Sequence, residues 1–351
     1  MPPQVEVCSE LAVAFGVLGV YPQEITGEDR LRALFYGDRP TWREFVGFRD
    51  VFGTRYDTNV LWNLGQRVTK DWIGNPPKQV EWYGPSRQAR TTSASRDLRL
   101  HGVNWSISVK YKSDVVSNSS PYNLFEAIAS GFTKAKGTPN WFEVQSPAHY
   151  ERLVQCTVEI AVQRGIIPPR DAKVYLANPS LLDRVIDKIR DEYKHYCYSV
   201  YVAMCRDVAE KSAELFNRNL ASVPRKSLTG VHEGILRQFL RVNGERYLLV
   251  GIERDNTAYA LEIPSIDDVR KTYKVEHITA VPDMARKQSV VNFDLCVTNI
   301  ETEDKVSLKY HAEIRWSHGP FCGNPEAKLY KEFGWSEVPF FKVIHIGDTV
   351  S

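Results

Sequence analysis

Asp97-Leu-Arg-Leu-His-Gly-Val-Asn-Trp-Ser-Ile-Ser-Val-Lys110 is the stretch that decides how this chain is read. Arg96–His101 and Asn104–Lys112 each alternate apolar and polar residues with the period of two expected of half-buried strands. Gly102-Val103 is a connection short enough for a hairpin between them. The same period places Ser108 and Lys110 on one face of the second strand, and Asp97 on the first can reach that face. A carboxylate and an ammonium held this close suit phosphodiester hydrolysis. The acid binds Mg²⁺, the metal lowers the pKa of a water, and the ammonium steadies the nucleophile or the charge developing on phosphorus. An aspartate and a lysine on adjacent strands also read as an exposed cross-strand ion pair.

One acid makes a poor Mg²⁺ site, so a second carboxylate is expected to converge on it. Glu126 is the first choice, within a helix predicted over Pro121–Phe132 that Gly131 closes and that Leu124, Phe125 and Ile128 would pack on the sheet. Glu81, on a strand predicted over Gln79–Tyr83, is the second. Asp114 lies past the strand end and is expected to face solvent. Upstream, Asp57–Ile73 reads as a helix with Asp57 as N-cap and Gly74 as stop. The local order is therefore helix, strand, strand, strand, helix.

That order, with Asp97 followed by Ser108-Val109-Lys110, resembles the PD-(D/E)xK nuclease superfamily and, within it, type II restriction endonucleases. Ser108 stands where the family usually has an acid. A subset with Ser-x-Lys takes the missing acid from the next helix, a role that falls to Glu126 in this chain. The resemblance spans about residues 57–132. It implies an α/β (α+β) fold with a restriction-endonuclease-like mixed sheet flanked by helices. It further implies Mg²⁺-dependent cleavage of double-stranded DNA, with Asp97 and Glu126 as metal ligands and Lys110 as the catalytic lysine. A homodimer cutting both strands of a palindrome is the expected assembly. A cognate DNA methyltransferase would belong to the same system without being a physical partner.

The charge pattern bears on the same region. Leu64–Ser113 carries nine basic residues (Arg67, Lys70, Lys78, Arg87, Arg90, Arg96, Arg99, Lys110, Lys112) against three acids, whereas the whole chain is only +2. Interleaved Trp72, Trp82, Tyr83, Trp105 and Tyr111 suit a nucleic-acid face, and equally a core with a solubilising rim. Arg96, Arg99 and Lys112 are the candidate backbone contacts. The following SDVVSNSSPYN offers Asn118 as a DNA contact, and Ser119 or Ser120 before Pro121 as helix caps. Glu313–Asn324 is a second candidate reading loop, with Arg315 as guanine reader supported by His318 and Asn324. A packed structural loop is the alternative there.

The remaining sequence sets the frame. Its 351 residues, 43% hydrophobic and 25% charged, allow one elaborated domain or two and argue against a disordered or fibrous chain. The expected division is a nuclease core with a helical extension over 1–222, then a β-rich, DNA-recognising part over 230–351. The linker would be Ser222–Gly234, and a hairpin is expected about Asn243-Gly244. Within the helical extension, His149–Arg164 and a long helix over about 180–220 are predicted. No apolar run approaches the ~20 residues that span a bilayer, and the first residues lack a secretory pattern. Six cysteines without CxxC spacing read as reduced thiols of a cytoplasmic protein, with Cys197 and Cys205 in a core. Walker, Rossmann, GxSxG and HExxH motifs are absent. Two other classes stay open: a non-catalytic DNA-binding or host-defence module with a nuclease fold, and an RNA-processing or structure-specific nuclease.

Overall fold

The structure is a computed structural model and describes residues 4–84, 96–127 and 140–347. Its strands are β1 (Gln79–Trp82), β2 (Leu98–His101), β3 (Ser106–Tyr111), β4 (Val115–Ser119), β5 (Tyr247–Ile252), β6 (Ala258–Ile263), β7 (Tyr273–Pro282), β8 (Ser289–Asn299), β9 (Lys305–Arg315), β10 (Glu326–Lys331) and β11 (Lys342–Gly347). They form two sheets, of six and five strands, in a mixed α/β chain.

The chain divides into two compact units, and they are not sequential halves. The first takes the residues up to Asp114, Arg241–Tyr273 and the residues from Gly334 on; the second takes Val115–Leu240 and Lys274–Phe333. The division expected at 222–234 therefore does not match these units. Instead of a linker and a strand there is a helical turn, Arg225–Ser227, and then a helix, Leu228–Leu240. The reason lies in the spacing of its buried residues, Val231, Ile235, Leu236, Phe239 and Leu240. Positions i, i+4, i+5, i+8 and i+9 make one helical stripe, where the hairpin expected about Asn243-Gly244 requires a strand.

In the first unit the sheet order is β1-β2-β3-β5-β6-β11. β1, β2 and β3 run antiparallel, β3 and β5 are parallel, and β6 is antiparallel to both β5 and β11. Between β3 and β5 the chain builds most of the second unit. Four helices precede the sheet: α1 (Val5–Leu18), α2 (Glu28–Leu34), α3 (Trp42–Val51) and α4 (Thr58–Val68). α4 continues into a π-helical turn, Thr69–Ile73, and Gly74 stops it as expected, although Asp57 sits in the left-handed region and makes no side-chain cap. α1 is buried almost all round, from Val7 to Leu18, and packs with Val80, Trp82, Leu98, Leu100, Ile107 and Val109 of the sheet.

α1 and α4 approach backbone to backbone. A Cβ on Gly16 would lie 2.1 Å from the Trp62 carbonyl oxygen, and one on Gly65 2.6 Å from that of Val13. Gly16→Ala should therefore cost about 3 kcal/mol in denaturant unfolding. Gly230→Ala, in the helix Leu228–Leu240 with open space around it, should instead gain about 0.5–1 kcal/mol. Equal effects at the two sites would contradict this helix crossing.

The second unit holds a sheet of order β4-β10-β9-β8-β7. Its helices are α5 (Trp141–Gln145), α6 (Pro147–Gln163), α7 (Ala172–Ala177), α8 (Asp183–Ile186), α9 (Arg190–Glu192), α10 (Tyr198–Ala221) and α11 (Leu228–Leu240). α6 falls where a helix over His149–Arg164 is expected. The long helix predicted over 180–220 is delivered in pieces, with a π-helical turn, Tyr193–Cys197, before α10. Leu182, Val185, Ile186 and Ile189 are buried, as are Cys197 and Cys205. Val115–Ser119, in the stretch that offers Asn118 as a DNA contact, is a strand paired with β10. No described helix is long and apolar enough to cross a membrane.

Candidate active site

The site lies in the first unit where two strands part. β2 and β3 are paired only at Leu98↔Ile107 and Arg99↔Ser106, although β3 runs on to Tyr111. On its other side β3 stays paired with β5 from Ile107 to Tyr111. The sheet thus opens on the β2 side, and the buried carboxylate of Asp97 fills the opening. Its Oδ2 accepts the Val109 backbone N–H at 2.6 Å and the Ser108 hydroxyl at 3.1 Å. The N–H that a longer β2 would have satisfied is met by a side chain. Ser108 is fully buried, and it orients the aspartate.

A second acid comes from α1. Glu10 is 5% exposed, and its Oε2 accepts the indole N–H of Trp82 at 2.6 Å. Burial raises its pKa from 4.5 to about 8; the charge of Asp97 adds to the rise, while the Trp82 hydrogen bond and Lys110 oppose it. Lys110 moves the other way, from 10.5 to about 8. The Arg241 guanidinium is the largest cause and burial the next, with Asp97 and Glu10 pulling back. Gly251, the partner of Lys110 across the parallel pair, leaves room for a phenol: a Cβ there would lie 2.7 Å from the Tyr259 hydroxyl. Two buried acids and a lysine therefore act on one another, and an arginine acts on the lysine.

Sequence reasoning brought Asp97, Ser108 and Lys110 to this place and missed Glu10 and Arg241. Glu126 belongs to the second unit, where it ends the π-helical turn Tyr122–Glu126 with an exposed side chain. Within the first unit the acid that acts with Asp97 is Glu10. Ile128 and Gly131, which belonged to the helix predicted around Glu126, lie outside the described residues. Glu81 points to the opposite face of β1 from Trp82, and its carboxylate accepts the Tyr83 hydroxyl at 3.0 Å. A signal for Glu10 was present in the sequence. Helix α1, VEVCSELAVAFGVL, is apolar all round, so an acid at its centre must be buried.

The donor set can be tested against Mg²⁺. No cluster of three or more His, Cys, Asp or Glu residues placed to hold a metal occurs among the described residues. Glu10 and Asp97 supply two carboxylates, and Mg²⁺ is commonly held by one or two, with waters and substrate phosphate completing its shell. The pair fits that need. The charge of Asp97 also penalises ionisation of Glu10, a penalty that a bound divalent cation would relieve.

The candidate DNA contacts scatter. Arg96 and Arg99 line a surface cleft of about 790 Å³, with His101, Asn104, Trp105 and Arg246. Arg96 is ion-paired to Glu245, and Arg246 to Asp268 at 2.9 Å. Lys112 is paired to Asp57 at 2.9 Å. Trp82 is core, and Trp72, Trp105 and Tyr111 pack against it, so these aromatics serve the fold. Arg87 and Arg90 lie outside the described residues. In the second unit Asn118 donates from β4 to Glu326 at 3.1 Å, a strand contact. Arg315 lies 3.5 Å from Glu313, and His318 and Asn324 are exposed. Trp316 beside them is buried and packs on Phe142 with its ring tilted, the centroids 4.3 Å apart.

Comparison with protein-family models, with curated proteins and with solved structures finds no match for this chain.

Proposed function

We propose that the first unit is a Mg²⁺-dependent nuclease core that hydrolyses phosphodiester bonds of double-stranded DNA at a specific sequence, as a homodimer. The observation that carries this reading is that Asp97, seated at the opening between β2 and β3, Glu10 and Lys110 act on one another electrostatically, with both Glu10 and Lys110 shifted to about 8. Shifts of this kind in opposed groups are what acid–base and metal sites produce. Bound Mg²⁺ would supply a Lewis acid and lower the pKa of a coordinated water. Asp97 and Glu10 are the residues that would hold it. Ser108 and the Val109 N–H fix the aspartate so that it need not reorganise. Lys110 places a cation beside the acids, where negative charge grows as water attacks phosphorus. Arg96 and Arg99, in the cleft that begins next to Asp97, are suited to the DNA backbone.

The test is digestion of plasmid DNA with Mg²⁺, with and without EDTA. Discrete bands that EDTA abolishes, and that Asp97→Asn loses, are expected. A smear would remove sequence specificity from the reading. Binding of DNA with no cleavage in either Mg²⁺ or Mn²⁺ would reduce the protein to a binding module.

A further inference from the structure

The second unit carries a pair of thiols that the nuclease reading does not use. Cys156, on α6, and Cys197, the last residue of the π-helical turn Tyr193–Cys197, have their Sγ atoms 2.7 Å apart. Both are free thiols; Cys156 is partly exposed and Cys197 is buried. Their surroundings are specific. Thr157 Oγ1 lies 4.0 Å from Cys197 Sγ, and the buried Tyr193 hydroxyl nearby has no hydrogen-bond partner among the described residues. A π turn puts an extra residue into a helical turn, and such turns recur at functional sites. Here it brings Cys197 against α6.

We propose that Cys156 and Cys197 are a redox dithiol, a modification site that closes to a disulfide within the native fold. The partner is a low-molecular-weight disulfide such as oxidised glutathione. The Cys156 thiolate, the accessible one, attacks one sulfur of that disulfide, expelling one glutathione thiolate and leaving a mixed disulfide. Cys197 then gives up its proton and attacks the Cys156 sulfur, and the second glutathione leaves as thiolate. Two protein thiols are oxidised and one glutathione disulfide is reduced to two thiols. Burial raises the Cys197 thiol well above its ordinary range, so it acts second, once Cys156 has been activated at contact distance. The bridge would span 41 positions of sequence and so restrict the unfolded chain.

The full-length chain should be equilibrated over a series of oxidised-to-reduced glutathione ratios, blocked with an alkylating agent, digested without reductant and mapped by mass spectrometry. The expected result is a Cys156–Cys197 cross-linked peptide lighter by two hydrogens, with Cys322, also partly exposed, remaining unlinked. The melting temperature should rise on oxidation and fall back with dithiothreitol. Cys156 stopping as a stable glutathione adduct, or both thiols remaining alkylatable in excess oxidised glutathione, would overturn the proposal. So would a lower melting temperature for the cross-linked form. Cys197→Ser should hold Cys156 as the mixed disulfide; the wild-type map decides the matter if that variant does not fold.

Discussion

Glu10→Gln is expected to make the metal-free protein more stable and, if the nuclease reading holds, nearly inactive. In the folded chain Glu10 titrates at about 8 against an ordinary 4.5. Below pH 4.5 both folded and unfolded chains hold the proton, and the group contributes nothing to pH dependence. Between 4.5 and 8 the unfolded chain has released it while the folded chain keeps it, so stability falls as pH rises, and above 8 the full penalty is present. At 1.36 kcal/mol per pH unit, the gain on removing the carboxylate is on the order of 4 kcal/mol at pH 8, and near zero at pH 4.5. Glutamine retains an oxygen to accept the Trp82 indole. Urea unfolding in EDTA at pH 5 and pH 8 reads this directly. Lys110 adds the opposite limb: its folded value of about 8 lies below 10.5, so stability recovers as pH rises from 8 towards 10.5. Wild-type protein should show a stability minimum near pH 8 that the variant lacks on its acid side. Cleavage by Glu10→Gln should fall by about 10²–10³-fold. A variant that is less stable at pH 8 would mean that Glu10 is an ordinary structural acid.

Lys110→Ala should abolish cleavage while leaving DNA binding and the fold in place. A preorganised charge beside the reacting phosphate is worth about 10²–10³ in rate, and more if the same group also moves a proton. The expected pattern is a collapse of turnover with unchanged affinity for DNA in Ca²⁺, measured by fluorescence anisotropy. Retained cleavage would remove this lysine, and the site with it. The companion measurement concerns Arg241, the main reason that Lys110 titrates low. Arg241→Gln should raise the Lys110 pKa above about 8, read by NMR of the methylated amine in EDTA. If the value stayed at 8, burial rather than the guanidinium would be the governing cause.

Much of the local structure was legible. The alternation in 96–112 gave β2 and β3 because a hairpin is decided by neighbours in sequence, and Asp97, Ser108 and Lys110 follow from that register. β9 (Lys305–Arg315) alternates more and less buried residues along most of its length, and such a period-two pattern leaves little choice but a strand. The hairpin about Asn243-Gly244 failed because eight residues of mixed pattern fit a strand and a buried helical stripe alike. The packing of Val231, Ile235 and Phe239 chose the helix.

The second acid could not be read by walking along the chain from Lys110. Glu126 was attractive because it came next in sequence. Glu10 acts on the site because α1 lies on the sheet, with Gly16 and Gly65 letting it cross α4 closely and the Trp82 indole holding its carboxylate. The same holds for Arg241, which enters only after the chain returns from the second unit. By itself the sequence determined which strand pair carries an aspartate and a lysine, because side-chain alternation is a property of each strand. Only tertiary packing decided which glutamate and which arginine act on them, because charges separated along the chain interact through space, in an environment that burial alone makes poor in water.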